Sequence, residues 1–283
     1  MSIKPYDFLI SYKEPMLYLE HSMIRMKDGF LCSCQGKEGV KIIAPSGHLL
    51  LLLGAGTSIS QEAAIFCAFN DMQIAFVKGG INVHSFFMSG RYQNPTSLVN
   101  QINFIENNKL NFAKKLLIYR LKMLKETNNY EEEILKLNNL NEILLWEARW
   151  ARNVYKKYSL SIGIDFKRDF NGNDIINERL NILNNALYSI CTAIIMSCSL
   201  SPSIAILHGS TRRGGLAFDL ADLYKTQIIF DLAFTKEKKT IRQLMYSLSE
   251  KLKENNSKII KELIKICLYI SGDISINIDE VFK

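Results

Sequence analysis

Over the first ninety residues the apolar positions fall in short runs, some alternating with polar residues; beyond residue 97 they recur at helical spacing. Between residues 16 and 57 the runs are MLYLEH, MIRM, GFLCSC, VKIIA and HLLLLL. They are separated by Lys27-Asp28-Gly29, Gly36-Lys37-Glu38-Gly39 and Pro45-Ser46-Gly47, all turn signals, and Asp28-Gly29 suits a tight hairpin. Short strands at this spacing predict a sandwich-like or small barrel-like sheet. Ser60 is the expected N-cap of a helix that opens at Gln61 and ends near Asn70, with Glu62 where the helix dipole favours a carboxylate. Strands over 72–77 and 81–87, joined by a turn at Gly79-Gly80, complete a β-rich domain spanning 1–90.

Residues 91–97 read as a linker and 98–283 as an all-helical domain, so the predicted class is α+β. The first helix, 98–125, carries Lys109, Lys114, Lys115, Arg120, Lys122 and Lys125 on its polar faces, either as a solvated surface or as a nucleic-acid track. A second long helix is expected over 134–158 and contains LLWEARWARNVY. There Glu147 sits among Leu144, Leu145, Ala148 and Ala151, and is either paired with Arg149, Arg152 or another basic residue, or is a functional carboxylate. Asn173 or Asp174 caps the next helix, which runs to about Ser199. The uncharged stretch 186–207 contains serines and Pro202 and reads as buried core rather than a transmembrane span. Residues 240–269 form a lysine-rich amphipathic helix.

Charge narrows the choice of partner. A formal net charge of +7 and a pI near 9.0 point to an anionic partner, nucleic acid or a membrane surface. The N-terminal MSIKPYDFLISYKEP has no apolar core of signal-peptide length. None of the six cysteines form a C-x-x-C pair, which argues against zinc and fits a reducing cytosol. A cytoplasmic location with no membrane partner is therefore expected. Gly54-Ala55-Gly56-Thr57-Ser58 lacks the Lys-Ser or Lys-Thr of a phosphate-binding loop.

Candidate chemistry concentrates in HGSTRRGGLAFDLADLYK, residues 208–225. One histidine, two arginines and two aspartates in eighteen residues are a mixture suited to a site. Asp219 and Asp222 are three apart and share roughly one helix face, pointing back toward His208. Carboxylate and imidazole together suit magnesium or manganese. With Glu147 brought in by folding, such a cluster fits phosphodiester chemistry, and nearby basic residues would hold the backbone.

Glu147 followed by Arg152 and Tyr155 on a long helix, and His208 followed by a loop and Phe218-Asp219-Leu220-Ala221-Asp222, resemble the CRISPR-associated integrase family. LYLEHSMIRMKDG, GAGTSISQEAA and ILHGSTRRGGLAFDLADLYK look like its subtype I-F branch. The resemblance implies a β-rich domain before a helical catalytic domain, and assigns Glu147, His208 and Asp222 as catalytic ligands of Mg2+ or Mn2+. It gives Asp219 an orienting role and Lys225 a DNA contact, while Arg212 and Arg213 are candidate phosphate clamps beside the ligands. It further implies a homodimer joined through the β-rich domains, acting on double-stranded and branched DNA. The dimer would be bridged by a small companion protein of the adaptation module, fused to a helicase-nuclease in that branch. The expected reaction is 3′-hydroxyl transesterification inserting captured DNA fragments, spacers, into a CRISPR array. The rival readings are a metal-dependent nuclease or resolvase of branched DNA, and a non-catalytic nucleic-acid-binding scaffold.

Overall fold

The computed structural model describes residues 13–36, 39–44, 47–78, 82–87, 94–125, 130–172, 174–208, 214–254 and 258–282. Among the described residues, eight strands and one helix come first: β1 Leu17–Leu19, β2 Met23–Lys27, β3 Phe30–Gln35, β4 Gly39–Ile42, β5 Leu50–Leu53, β6 Ser58–Ile59, α1 Gln61–Phe69, β7 Gln73–Lys78 and β8 Asn82–Phe87. They form two four-stranded sheets of order β1-β5-β7-β8 and β4-β3-β2-β6. In the first, β5 runs parallel to both β1 and β7, and β8 closes the edge antiparallel. In the second, β2, β3 and β4 form an antiparallel meander and β6 pairs parallel to β2. The β2–β3 turn places Asp28 at φ 51° and Gly29 at φ 80°. Two consecutive left-handed residues give the turn whose twist matches a hairpin, as Asp-Gly predicts.

The unbroken leucine run of β5 has a physical reason: every one of its residues is buried. Leu51 and Leu53 join Ile24, Leu31 and Ile43 from the second sheet and Ala63 and Cys67 from α1. Leu50 and Leu52 face the other way, into the helical core with Ala75 and Val77. A strand covered on both faces has no polar side to alternate with. The first sheet is thus a middle layer, with the second sheet and α1 on one side and helices on the other.

The helices are α2 Pro95–Met123, α3 Tyr130–Leu135, α4 Leu140–Ser161, α5 Ile175–Ser197, α6 Gly215–Ala233, α7 Ile241–Glu254, α8 Lys258–Ile270 and α9 Ile278–Val281. At the centre lies α5, buried along most of its length and packed against α6. It is the one helix, among the described residues, long and apolar enough to cross a membrane, and 67% of that window is buried inside the protein. Arg179 of α5 donates to the carbonyls of Ala233, Thr235 and Glu237. The guanidinium satisfies carbonyls at the C-terminal end of α6 and so fixes that helix against α5.

Two boundaries differ from the sequence reading. First, α2 begins at Pro95, inside the 91–97 linker stretch, because Asn94 accepts from the Thr96 amide and proline suits a first helical position. Second, the helix expected over 134–158 is two helices. Asn139 accepts from the Glu142 amide at 3.0 Å, and Glu142 reaches back to the Asn138 amide at 2.7 Å. This reciprocal capping starts the chain afresh as α4. Within 240–269 the described helices are α7 and α8, and residues 255–257 lie outside the described residues. Gly79-Gly80 and Asn173 lie outside the described residues, and Asp174 caps α5.

Replacing Asn139 by alanine is expected to destabilise the protein by about 1 kcal/mol, read as a lowered midpoint in urea denaturation, while Asn139→Ser, which keeps a capping oxygen, stays closer to wild type. An unchanged Asn139→Ala midpoint would show that the cap contributes nothing to the start of α4.

Candidate active site

The site is assembled where residues 201–208 meet the start of α6. Gly214, at φ 75°, turns the chain into the helix, and Gly215 follows it, buried. A Cβ on Gly215 would lie 2.6 Å from the Ala205 Cβ and 3.0 Å from the His208 carbonyl oxygen, so only glycine permits this approach. One turn later the buried Asp219 carboxylate accepts from the amides of Ile206 (2.7 Å), Leu207 (3.0 Å) and His208 (3.1 Å). It also bonds the His208 Nδ1 at 2.7 Å. From the other side Gln101 of α2, fully buried, donates to the Ser201 and Ile204 carbonyls and accepts from the Ser201 amide. The segment carrying His208 is therefore held by two helices.

These bonds set the chemistry of the imidazole. With Nδ1–H donated to Asp219, the neutral ring carries its free lone pair on Nε2. Burial opposes the charged form of His208, but the hydrogen bond to Asp219 and the charges of Asp222, Asp219 and Glu147 outweigh it, and its pKa is raised. Asp219 itself has four hydrogen bonds across its two oxygens, which suits it to orient His208 rather than bind a ligand.

Glu147 and Asp222 complete the group. Burial of Ile143, Trp146, Trp150 and Val154 turns α4 so that Glu147, beside Trp146, faces the helical core's edge. Its Oε1 is 2.5 Å from Nη1 of Arg120, whose guanidinium lies over the Trp150 ring at 4.6 Å. Asp222, one turn beyond Asp219, is 3.5 Å from the Lys225 Nζ. Glu147, His208 and Asp222 line one cleft of about 290 Å³, together with Arg120, Lys225 and Tyr155. Burial works against the Lys225 charge, yet Tyr188, Asp222 and Tyr155 outweigh it and raise its pKa.

Two carboxylates and an imidazole match the donor set of magnesium or manganese, so these residues fit such an ion in kind. They are not drawn tightly together: among the described residues no three His, Cys, Asp or Glu side chains are close enough to hold a metal. Glu147 leans on Arg120 and Asp222 on Lys225 instead.

Of the partners left open for Glu147, Arg149 and Arg152 are exposed and bond the Leu145 and Ala148 carbonyls; the pair is made by another basic residue, Arg120 from a different helix. Arg120 is not on a solvated or nucleic-acid-tracking face of α2; its side chain is only 7% exposed. Lys225, the candidate DNA contact, lines the cleft. Arg212 and Arg213 lie outside the described residues. Sequence reasoning missed Arg120 and Gln101. The Gln101 signal was a polar residue in line with Ile105, Phe112 and Leu116 on the buried stripe of α2.

A family model described as "CRISPR associated protein Cas1" matches residues 16–265. A CRISPR-associated endonuclease Cas1 from Clostridium sp. (strain SY8519) is 28% identical over 235 residues, spanning 80% of this chain and 74% of its own length. The fold is shared with TtCas1 in a complex with DNA, at a TM-score of 0.73 and 21% identity over 90% of each chain. It is shared equally with a casposase bound to integration product, at a TM-score of 0.73 and 14% identity over 91% of this chain and 90% of that one. The β-rich part followed by a helical part is the architecture common to these structures.

Replacing Asp219 by alanine strands three backbone amides and the His208 ring, and is expected to cost about 3 kcal/mol or more in urea denaturation. A loss below about 1 kcal/mol would refute this organising role. The raised His208 pKa sets a direction with pH. Its charged pair stabilises the fold fully below the ordinary histidine value of about 6.5, and that contribution fades as pH rises through the higher folded-state value. The stability gap between wild type and His208→Gln, measured in chelator, should therefore narrow on going from acidic to alkaline pH; a widening gap contradicts the assignment.

Proposed function

The chain belongs to the family of CRISPR-associated Cas1 proteins, and from that premise we propose that it is a metal-dependent DNA integrase and endonuclease. It inserts captured DNA fragments into a CRISPR array in antiviral adaptive immunity, working in the cytoplasm on double-stranded and branched DNA. The observation that carries the reading is that Glu147, His208 and Asp222, from α4, the 201–208 segment and α6, line one cleft. These three would hold Mg2+ or Mn2+. Bound there, such a cation supplies a Lewis acid that neutralises the scissile phosphate and acidifies the attacking hydroxyl.

The remaining work falls to the chain itself. Asp219 keeps the His208 ring in one orientation and one tautomer. Arg120 and Lys225 place two positive side chains in the cleft, where phosphate oxygens would meet them. In the transesterification the 3′-oxygen of the fragment bonds to a repeat phosphorus as the P–O bond to the repeat's own 3′-oxygen breaks. One phosphodiester replaces another, so no outside energy source is needed. Water in place of the 3′-hydroxyl makes the same site an endonuclease.

The working unit we propose is a homodimer joined through the β-rich part. The strand register puts Met23, Phe30, Val40 and Ile42 on one face of the second sheet, each about half exposed or more, up to 65% for Ile42. These apolar side chains, with Arg25 and Lys27 exposed on the same face, favour a protein partner. The LYLEHSMIRMKDG, GAGTSISQEAA and ILHGSTRRGGLAFDLADLYK blocks support the subtype I-F branch. A small companion protein fused to a helicase-nuclease belongs to that reading.

Alanine at Glu147, His208 or Asp222 should each lower strand transfer by about 100-fold or more while leaving DNA affinity within a few-fold of wild type. The test is a branched DNA mimicking a half-integrated fragment, incubated with manganese beside the His208→Ala variant. Flap release with rejoining of the interrupted strand, lost in the variant, supports integration; cleavage without rejoining moves the reading to a nuclease. Binding with no reaction in either protein leaves a scaffold. Separately, Ile42→Glu should yield a monomer in sedimentation with its melting temperature unchanged, and a persisting dimer would exclude this face as the joint.

A further inference from the structure

We propose that Arg120 is a resident competitor for the divalent cation at Glu147, so that its guanidinium sets how weakly the site takes metal. The inference rests on the metal-binding reading of the cleft and adds a residue to it. Three carboxylates gather here, Glu147, Asp219 and Asp222, against two permanent cations, Arg120 and Lys225, and one titratable ring, His208. A dication ligated by these carboxylates competes with whichever basic side chain occupies a ligand's oxygens most directly.

The geometry points to Arg120 rather than Lys225. Arg120 Nη1 sits on Glu147 Oε1 at 2.5 Å, while Lys225 is 3.5 Å from Asp222. Arg120 comes from α2 and its guanidinium is held in the cleft by the Trp150 ring. Its Nε is buried without a hydrogen-bond partner, so the protein does not use the full donor fork. A cation ligated by Glu147 must weaken or replace the Arg120 contact, and the free energy of that buried pair is subtracted from metal affinity. The guanidinium so released remains in the cleft with its donors available to an anion.

Two measurements on the DNA-free protein test this. Manganese binding, followed by the electron paramagnetic resonance signal of the free aquo ion, should be about ten-fold or more tighter in Arg120→Gln than in wild type. In wild type, manganese should increase modification of Arg120 by phenylglyoxal, read by peptide mass spectrometry; this needs no variant that might misfold. Equal or weaker affinity in a folded Arg120→Gln, or manganese-insensitive modification of Arg120, overturns the proposal. The Glu147→Ala variant separates it from the reading beneath it. If Glu147→Ala binds manganese as wild type does, the metal site itself is wrong. If wild-type binding requires Glu147 but Arg120→Gln is unaltered, only the competitor role fails.

Discussion

One buried carboxylate organises this cleft. Asp219, with no exposed side-chain surface, gathers three consecutive backbone amides and the Nδ1 of His208. Those amides belong to a segment outside any helix or sheet, where buried N–H groups otherwise have no partner. A single charged acceptor satisfies all of them, and its own burial is tolerable because four donors replace the water it lost. The same bonds fix residues 206–208 against α6, the orientation of the imidazole and the nitrogen left for chemistry. Gly215 permits the close approach on which they depend, and Arg179 secures the far end of the helix.

Asp222 shows how environment divides two like residues. It stands one turn from Asp219 on the same helix, yet its side chain keeps 16% exposure in the cleft where Asp219 keeps none. Asp219 is saturated by hydrogen bonds and acts on structure, whereas Asp222 is set among Lys225, His208 and Glu147 and faces whatever enters. Helical spacing alone makes the pair look equivalent; depth and neighbours separate them.

What the sequence revealed follows from which interactions are local. The hairpin at Asp28-Gly29, the cap at Ser60 and the buried leucine run of β5 depend on neighbouring residues, and periodicity exposes them. Glu147, His208 and Asp222 stood out because their residue types are unusual in apolar surroundings. Arg120 did not, since in a lysine-rich helix one more cation reads as solvated; only packing against Trp150 and Glu147, far along the chain, buries it. The break before α4 was hidden for a different reason: apolar spacing continues across Asn138-Asn139, and the capping exchange with Glu142 overrides it. Gln101 is a polar residue on a buried stripe, a signal whose meaning depends on a loop a hundred residues away.

A site that gathers three carboxylates must still fold. Bringing Glu147, Asp219 and Asp222 together unrelieved would oppose folding through mutual repulsion at low local dielectric. Here each carboxylate has an internal counterpart: amides and imidazole for Asp219, lysine for Asp222, arginine for Glu147. These contacts differ in kind. Amides are fixed to the backbone and cannot leave, so Asp219 stays structural. Arginine and lysine lie on side chains that can move, so Glu147 and Asp222 can exchange one positive partner for another. Under the metal-binding reading proposed above, the interactions that let the acidic group assemble are thus the ones a cation would have to replace, and stability and chemistry would draw on the same charges.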